Sequence, residues 1–243
     1  VTNLTSGLSG VSGSAFKDIA TDDTGAIIVA VADLGDIFLS VDTGTTWSNK
    51  TTGTSLSGLA WRSVALSGDG QVLYVAVYGG DIYKSTDSGN SWTATTLTTG
   101  HNKNWTGVTT SRDGSRVFAV ARSDYLYYSI NGGTSWTRPS PYPTGYSSTT
   151  WPFTGVATDA AGSLTVTSNN FGSIFASFTS SMNSGLLESS AGYFNDVAQA
   201  DNGARSYAAA TFSGSDQYSF HTFVQYPEFN KYAQVVEIGR AHV

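Results

Sequence analysis

The pattern Ser-x-Asp/Asn-x-Gly-x-x-Trp occurs three times in this chain at almost equal spacing. Its copies are Ser40-Val-Asp42-Thr-Gly44-Thr-Thr-Trp47, Ser85-Thr-Asp87-Ser-Gly89-Asn-Ser-Trp92 and Ser129-Ile-Asn131-Gly-Gly133-Thr-Ser-Trp136. They start at residues 40, 85 and 129, a repeat of about 45 residues that suits stacked blades or solenoid units. Before each copy the chain passes an aromatic, Phe16, Trp61 or Trp105, and the same opening returns at Phe153 and Phe194. Nine positions after every opening stands a glycine: Gly25, Gly70, Gly114, Gly162 and Gly203. An aspartate precedes it by one or two positions in four of the five copies, as Asp23, Asp69, Asp113 and Asp201. The chain therefore divides into units starting at 16, 61, 105, 153 and 194.

One unit shows the local structure. Trp61 to Ser67 reads as a short strand, and Gly68-Asp69-Gly70 as a turn that exploits the freedom of glycine at positive φ. Gln71 to Tyr78 is a second strand, apolar on both faces and so sandwiched between layers. Gly79-Gly80 turns the chain into a third strand, Asp81 to Ser85, and the repeated motif leads to a fourth near Trp92. Four strands in about 45 residues make one propeller blade. The expected fold is all-β: a β-propeller of four-stranded antiparallel blades, with at least five blades.

The motif chemistry is local. Ser40, Asp42 and their counterparts Ser85, Asp87, Ser129 and Asn131 can bond the backbone of their own turn. Gly44, Gly89 and Gly133 supply a left-handed position, and Trp47, Trp92 and Trp136 bring an apolar face under the hairpin. Asn131 in place of aspartate fits a capping role, because an amide oxygen still accepts. These twelve residues are read as structural, with the three tryptophans expected at equivalent, largely buried positions.

The pattern resembles the Asp-box, or BNR, repeat of sialidases, sortilin-type receptors, xyloglucan-degrading glycosidases and photosystem II assembly factors. The resemblance is strong over residues 16–136 and weaker to about 218. In the fourth unit Ser177, Thr179, Ser181 and Ser184 stand where the motif would be, and in the fifth the motif is gone. The resemblance implies a propeller without implying one activity, since the family spans enzymes, receptors and assembly factors.

Charged residues make up 12% of the 243 positions and the net charge is −6, which argues against nucleic acid as a partner. No window is apolar enough to insert in a membrane. With no cysteine the chain has no disulfide and no thiol chemistry. The compartment stays open, an extracellular one being favoured. Residues 1–15 resemble the stretch after Trp47 and are expected to be the outer strand of a truncated or circularly closing blade. Residues 16–236 form the propeller, and 237–243 match a translated sequencing adapter, which sets Arg240 and His242 aside.

In the propeller geometry that the resemblance implies, second-to-third-strand turns and blade links share one face, which faces ligands. The opposite face gathers the first turns and the motif turns. Candidate ligand-binding residues on the first of these faces are Tyr78, Asp81, Arg122, Asp124, Tyr142, Tyr146 and Trp151. The last three belong to the proline-rich link 137–152, where aromatics suit stacking on a sugar. Asp81 and Asp124 also read as turn caps, and Trp61 and Trp105 as packing at blade junctions. A sialidase would need three arginines on its substrate carboxylate. Arg112, Arg116 and Arg205 lie beside first turns and Arg138 just past a motif, which leaves Arg62 and Arg122 facing the channel. Another glycosidase would need paired carboxylates roughly 5–10 Å apart, and Asp81 with Asp124 is the available pair, in similar slots of adjacent blades. His101 and His221 have no ligand-spaced partners. No catalytic residue, metal set or cofactor is assigned. The expectation is a non-catalytic binding or scaffolding module for a saccharide or protein, the alternative being a glycoside hydrolase or a fragment of one.

Overall fold

The computed structural model describes residues 15–95, 102–138 and 151–169, and beyond them the backbone of the strands named below. The first unit comprises β1 (Ala15–Thr21), β2 (Ile28–Gly35), β3 (Ile37–Ser40) and β4 (Ser48–Asn49). The second comprises β5 (Leu59–Leu66), β6 (Leu73–Gly80), β7 (Ile82–Ser85) and β8 (Thr93–Ala94). The third has β9 (Lys103–Thr110), β10 (Val117–Asp124) and β11 (Leu126–Ser129), with a Tyr128–Thr137 bridge in the place of a fourth strand. The fourth runs through β12 (Trp151–Thr158), β13 (Leu164–Asn169), β14 (Ser173–Phe178) and β15 (Ser184–Ser189). The fifth contains β16 (Tyr193–Gln199), β17 (Arg205–Thr211), β18 (Tyr218–Tyr226) and β19 (Lys231–Ala241). Every pairing is antiparallel and consecutive within a unit. The units with no motif keep this meander, so the turn motif is dispensable for blade shape. Residues 1–14 lie outside the described residues. Glu237–Ala241 continue β19 opposite β18; an adapter origin concerns the encoding DNA, on which backbone pairing has no bearing.

One irregularity recurs in all five units. The register slips by one residue just after the opening aromatic: between Phe16 and Asp18, Trp61 and Ser63, Phe153 and Gly155, and Phe194 and Asp196. In the third unit the slip is seen across the ladder, where Trp105 faces Ala121 while Gly107 faces Val120. A β-bulge leaves one residue unpaired and re-aims its side chain. The unpaired residues are Lys17, Arg62, Thr106, Thr154 and Asn195. In the second, third and fourth units the aromatic before the bulge enters the junction between blades, with Trp61 fully buried and Trp105 and Phe153 nearly so, whereas Phe16 of the first unit is exposed. Trp61 packs with Val29, Val31 and Ile37 of the preceding unit, and Trp105 with Ala65, Tyr74 and Ala76. An edge-on partner from the third strand holds each ring, Tyr83 for Trp61 and Tyr127 for Trp105. Truncating such a ring to alanine costs about 3–5 kcal/mol.

Main-chain bonds tie the blades into an arc. The second strand of one unit pairs at its end with the first strand of the next: Asp33 with Ala60, Tyr78 with Asn104, Arg122 with Pro152. On the opposite face the first turns are chained, with Asp23 N–H donating to Gly68 O, Gly68 N–H to Arg112 O and Arg112 N–H to Ala160 O. Inner strands β1, β5, β9, β12 and β16 contact one another in sequence. The protein is a β-propeller of antiparallel blades, as its repeat predicts.

The motif turn folds as its chemistry demands. Gly44 N–H donates to Ser40 Oγ at 2.9 Å and Ser40 Oγ donates to Asp42 Oδ1 at 2.8 Å. Asp42 also accepts from Thr46 N–H and Thr46 Oγ. The same four bonds recur around Ser85 and Asp87. In the third copy Asn131 Oδ1 accepts from Ser129 and from Ser135 N–H, while its amide donates to Ser135 Oγ, reversing one bond and losing none. Each motif turn docks on the first turn of its own blade, through Thr43 N–H to Ala26 O, Ser88 N–H to Gln71 O and Gly132 N–H to Ser115 O. The tryptophans are equivalent in place but not in burial. Trp136 is buried within the core between the second and third units, whereas Trp47 and Trp92 are half-buried, their indole N–H groups donating to Gly44 O and Gly89 O.

Gly25 and Gly70 occupy the same left-handed turn position, with φ near +71° and +68°, but in different surroundings. A Cβ on Gly25 would meet nothing within 4 Å, whereas one on Gly70 would sit 2.4 Å from Ile27 Cδ1 of the preceding blade. Gly25→Ala should therefore cost about 1–2 kcal/mol of backbone strain. Gly70→Ala should cost about 1–3 kcal/mol more for overpacking. Chemical denaturation of both variants checks this, and equal losses would contradict the inter-blade contact.

The hydrogen bonds of the motif turn also set an acid response. Ser91 Oγ–H, then Ser91 N–H and Ser85, hold the Asp87 carboxyl down at about 2. Thr46, first through its hydroxyl, lowers that of Asp42. A depressed carboxylate stabilises the fold above its unfolded pKa, and that contribution is lost as pH falls through the folded value. The window for Asp87 runs from its ordinary 3.8 down to about 2. Thermal melts of the Asp42→Asn, Asp87→Asn double variant should show a shallower fall in Tm over that window than the parent, because the asparagine version of the turn has no proton to gain.

Candidate functional site

The inner strands enclose a channel of about 440 Å³, lined among the described residues by Lys17, Asp18, Arg62, Ser63, Thr106 and Thr154 with the strand residues below them. One end is crossed by an ion pair. Asp23 of the first blade meets Arg112 of the third at 2.5 Å, passing over the second blade at Gly68, where a Cβ would fall 2.4 Å from Asp23 Oδ2. Asp22 caps its turn by accepting from Ile27 N–H, as Ser67 Oγ accepts from Val72 N–H and Ser111 Oγ from Arg116 N–H. Thr24 Oγ accepts from Ala26 N–H where Asp69 and Asp113 accept from Gln71 and Ser115 N–H. Spacing from the glycine groups Asp23 with Asp69 and Asp113, but its main-chain bonds align it with Gly68 and Arg112.

At the other end stand the bulge residues. Lys17 Nζ and Arg62 Nη1 lie 3.5 and 3.4 Å from the same oxygen, Asp33 Oδ2. The Arg62 guanidinium sits 5.0 Å above the ring of Tyr78. Thr106 donates to Phe153 O of the next blade and to Val120 O. Deeper in, Asp18 accepts from Ser63 Oγ and Val64 N–H of the second blade, and Ser63 in turn accepts from Val108 N–H of the third. Burial raises the pKa of Asp18, against the lowering effect of Val64 N–H, Ser63 and Ile19 N–H. Asp18 is a latch between blades.

The seven candidates from sequence fall out as follows. Tyr78 is half-buried beneath Arg62. Arg122 is exposed on β10. Asp124 is bound by Lys103 at 2.5 Å, by Tyr125 N–H and by the Tyr127 hydroxyl. The Lys103 ammonium lies 5.0 Å above the Tyr127 ring. Burial acts to lower the pKa of Lys103, but its bonds to Asp124 and Tyr127 outweigh that and raise it. Asp81 accepts from Val77 N–H through its backbone. Asp81 and Asp124 do not occupy matching slots. Ala76 faces Ile82 and Val120 faces Leu126, so Asp81 corresponds to Tyr125 and Asp124 to Gly80. The two turns differ by one residue from what spacing alone implies. Trp151 opens β12 opposite Asp124, and Tyr142 and Tyr146 lie outside the described residues. Lys17 and Asp33 complete the group at the channel mouth. The signal for Lys17, as for Arg62, is the position after the opening aromatic, which pattern matching on aromatics and glycines passes over. No group of three or more His, Cys, Asp or Glu suited to a metal gathers among the described residues, and no helix there is long and apolar enough to cross a membrane.

Charged side chains line one end of the channel, and the Asp23–Arg112 pair lies on the opposite face. The family model for the DUF6242 beta propeller domain matches residues 20–175, more than half of the chain, and the protein belongs to that family. No curated protein matches its sequence. Solved structures share the fold at low identity. YCF48 bound to D1 peptide superposes with a TM-score of 0.63 at 12% identity, over 92% of this chain and 67% of that one. The GH74 enzyme of Niastella koreensis gives 0.68 at 17%, over 90% of this chain and 37% of its own, so the present chain spans well under half of that enzyme. The Cps50 (Swd1) propeller domain of Myceliophteria thermophila gives 0.69 at 13%, over 94% and 72%.

Lys103 and Asp124 are both largely buried, with 15% and 22% of their side chains exposed. Asp124→Ala should destabilise the protein by about 1–3 kcal/mol, because it strands the ammonium. Lys103→Met added to it should recover most of the loss in urea titrations; no recovery would show that Asp124 matters for something other than this pair.

Proposed function

We propose that the protein is a non-catalytic binding module that engages a polypeptide partner at the open mouth of its channel. The observation that carries this reading is the state of the carboxylates there. Asp33 is shared by Lys17 and Arg62, Asp36 is bonded to Asn49 and Thr51, and Asp124 is held by Lys103. A glycoside hydrolase needs two carboxylates poised on a substrate, whereas these support loops and blades. The likeness to a propeller with a bound peptide supports a polypeptide as partner. The turn motif and its bonding support kinship with Asp-box propellers, and the five meanders support a ring of at least five blades over residues 16–236. Tyr78, Arg122 and Trp151 belong to the binding surface on this reading, with Tyr142 and Tyr146 of the adjoining link.

Carbohydrate binding is the second reading, favoured by the likeness to a GH74 enzyme and by the aromatic link 137–152. A glycan array run beside a panel of fluorogenic glycosides separates the two. Neither binding nor turnover is expected. A glycan hit that Trp151→Ala abolishes would move the assignment to a lectin-like module. Turnover lost in Asp81→Asn or Asp124→Asn would overturn it in favour of a hydrolase.

A further inference from the structure

The third motif turn departs from the other two at two adjacent positions. Where the first copies read Asp42-Thr43 and Asp87-Ser88, it reads Asn131-Gly132. Each change is mild for the fold. The amide keeps the cap, and glycine takes a left-handed position, φ 64°, that Thr43 and Ser88 hold at φ 57° and 54° against the Cβ cost. Together the two changes alter the chemistry. A glycine nitrogen, with no Cβ beside it, can swing onto the side-chain carbonyl carbon of the residue before it, and an amide there can leave as ammonia. In the folded turn that approach is blocked. Gly132 is buried, its N–H donates to Ser115 O at 2.7 Å, and its carbonyl accepts from Lys84 Nζ of the second blade at 2.8 Å. The Asn131 amide is held at both ends, its Oδ1 by Ser129 Oγ and Ser135 N–H and its Nδ2 by Ser135 Oγ. Asn131 itself is exposed to water.

We propose that Asn131 is a site of spontaneous deamidation, gated by opening of the third motif turn. The modification goes beyond the binding reading above and does not depend on it. When the turn opens locally, Gly132 N attacks Asn131 Cγ. The new C–N bond forms, Nδ2 leaves as ammonia with the proton that Gly132 N gives up, and a five-membered imide remains. One water molecule then opens the imide. Hydrolysis at Cγ leaves an aspartate at position 131. Hydrolysis at the main-chain carbonyl leaves an isoaspartate, in which the chain runs through the former side chain. The aspartate fits the turn as built. Ser135 Oγ has only to turn its proton toward the carboxylate, as Ser91 Oγ donates to Asp87 and Thr46 Oγ to Asp42. The isoaspartate puts an extra methylene between the Ser129 cap and the Ser115 and Lys84 bonds of Gly132, so it cannot keep both. Deamidation thus converts the third copy to the acidic form of the first two and adds a negative charge to a chain already at −6.

The test is timed incubation of the 243-residue chain at mildly alkaline pH, native and in urea, read by mass spectrometry of chymotryptic peptides and by isoaspartyl methyltransferase labelling. Asn202-Gly203, the other Asn-Gly pair of the sequence, supplies the chemical rate in urea, and Asn131 should match it there. In the native protein Asn131 should convert at least about tenfold more slowly than in urea. Lys84→Met, which removes the bond to Gly132 O, should speed the native conversion about fivefold and leave the urea rate unchanged. Gly132→Ser restores the residue type of the second copy, and its Cβ would press on the flexible end of Lys84, 2.9 Å away. It should slow conversion in urea about tenfold, a comparison that holds whether or not the variant folds. Asn131→Asp should keep the parent's Tm at neutral pH. Equal native and urea rates at Asn131 would overturn the gate. No conversion in urea, or conversion indifferent to Gly132→Ser, would overturn the site itself. A clear loss of Tm in Asn131→Asp would overturn the aspartate as a product that the turn accepts.

Discussion

A single unpaired residue on each inner strand organises this propeller. The bulge after the opening aromatic lets two consecutive side chains leave the strand in directions that a regular pleat does not combine. One enters the dry junction between blades; the next reaches the channel. Without the slip, Trp61 and Arg62 would simply point to opposite faces of the blade, and both faces are inter-blade contacts. A guanidinium would then be driven into apolar packing, at a desolvation cost that no partner there could offset. The bulge therefore permits a hydrophobic junction and a polar channel to be written into adjacent positions, as at Trp61–Arg62, Trp105–Thr106 and Phe153–Thr154.

Much of this was legible in the chain. The repeat period, the order of strands and the role of the Ser-Asp-Gly turn follow from residue types whose local chemistry admits few alternatives. Asn131 was readable as a cap because only an acceptor is required at its Oδ1. What could not be read depends on groups that leave no mark in sequence. The chain of hydrogen bonds from Asp23 to Gly68 to Arg112 to Ala160 uses main-chain atoms alone, so four unlike residues do the same work. Equally silent is the alignment of Asp23 with Gly68 and Arg112 and not with the capping Asp69 and Asp113, because it shows only in those main-chain bonds. Arg112, two blades away at the same position, then gives Asp23 its partner.

The candidate site shows the same division. Spacing placed Asp81 and Asp124 in matching slots, yet the ladder sets them one residue apart, because hairpin register and not linear distance defines equivalence in a sheet. Burial of the motif tryptophans also escaped the repeat. Trp47, Trp92 and Trp136 share one local geometry, but how deeply each is covered depends on what packs over it. Trp136 is buried in the core between the second and third units, and Trp92 packs half-buried against the core between the first and second.

Function in such a scaffold resides where the repeat is broken. A propeller builds its blades from equivalent positions, so a residue that serves the fold recurs or is replaced by something that does the same job, as Asn131 replaces aspartate. The left-handed turn position takes Gly79 without strain, whereas Leu34 and Ser123 both carry the Cβ cost there. Lys17 and Arg62 likewise hold a bulge position that threonine fills in the next two blades, where Thr106 spends its hydroxyl on structural carbonyls. The ion pair on the opposite face is a departure of the same kind, since Asp23, Gly68 and Arg112 hold one equivalent position in three blades and only the first and third carry charges that can meet across the second.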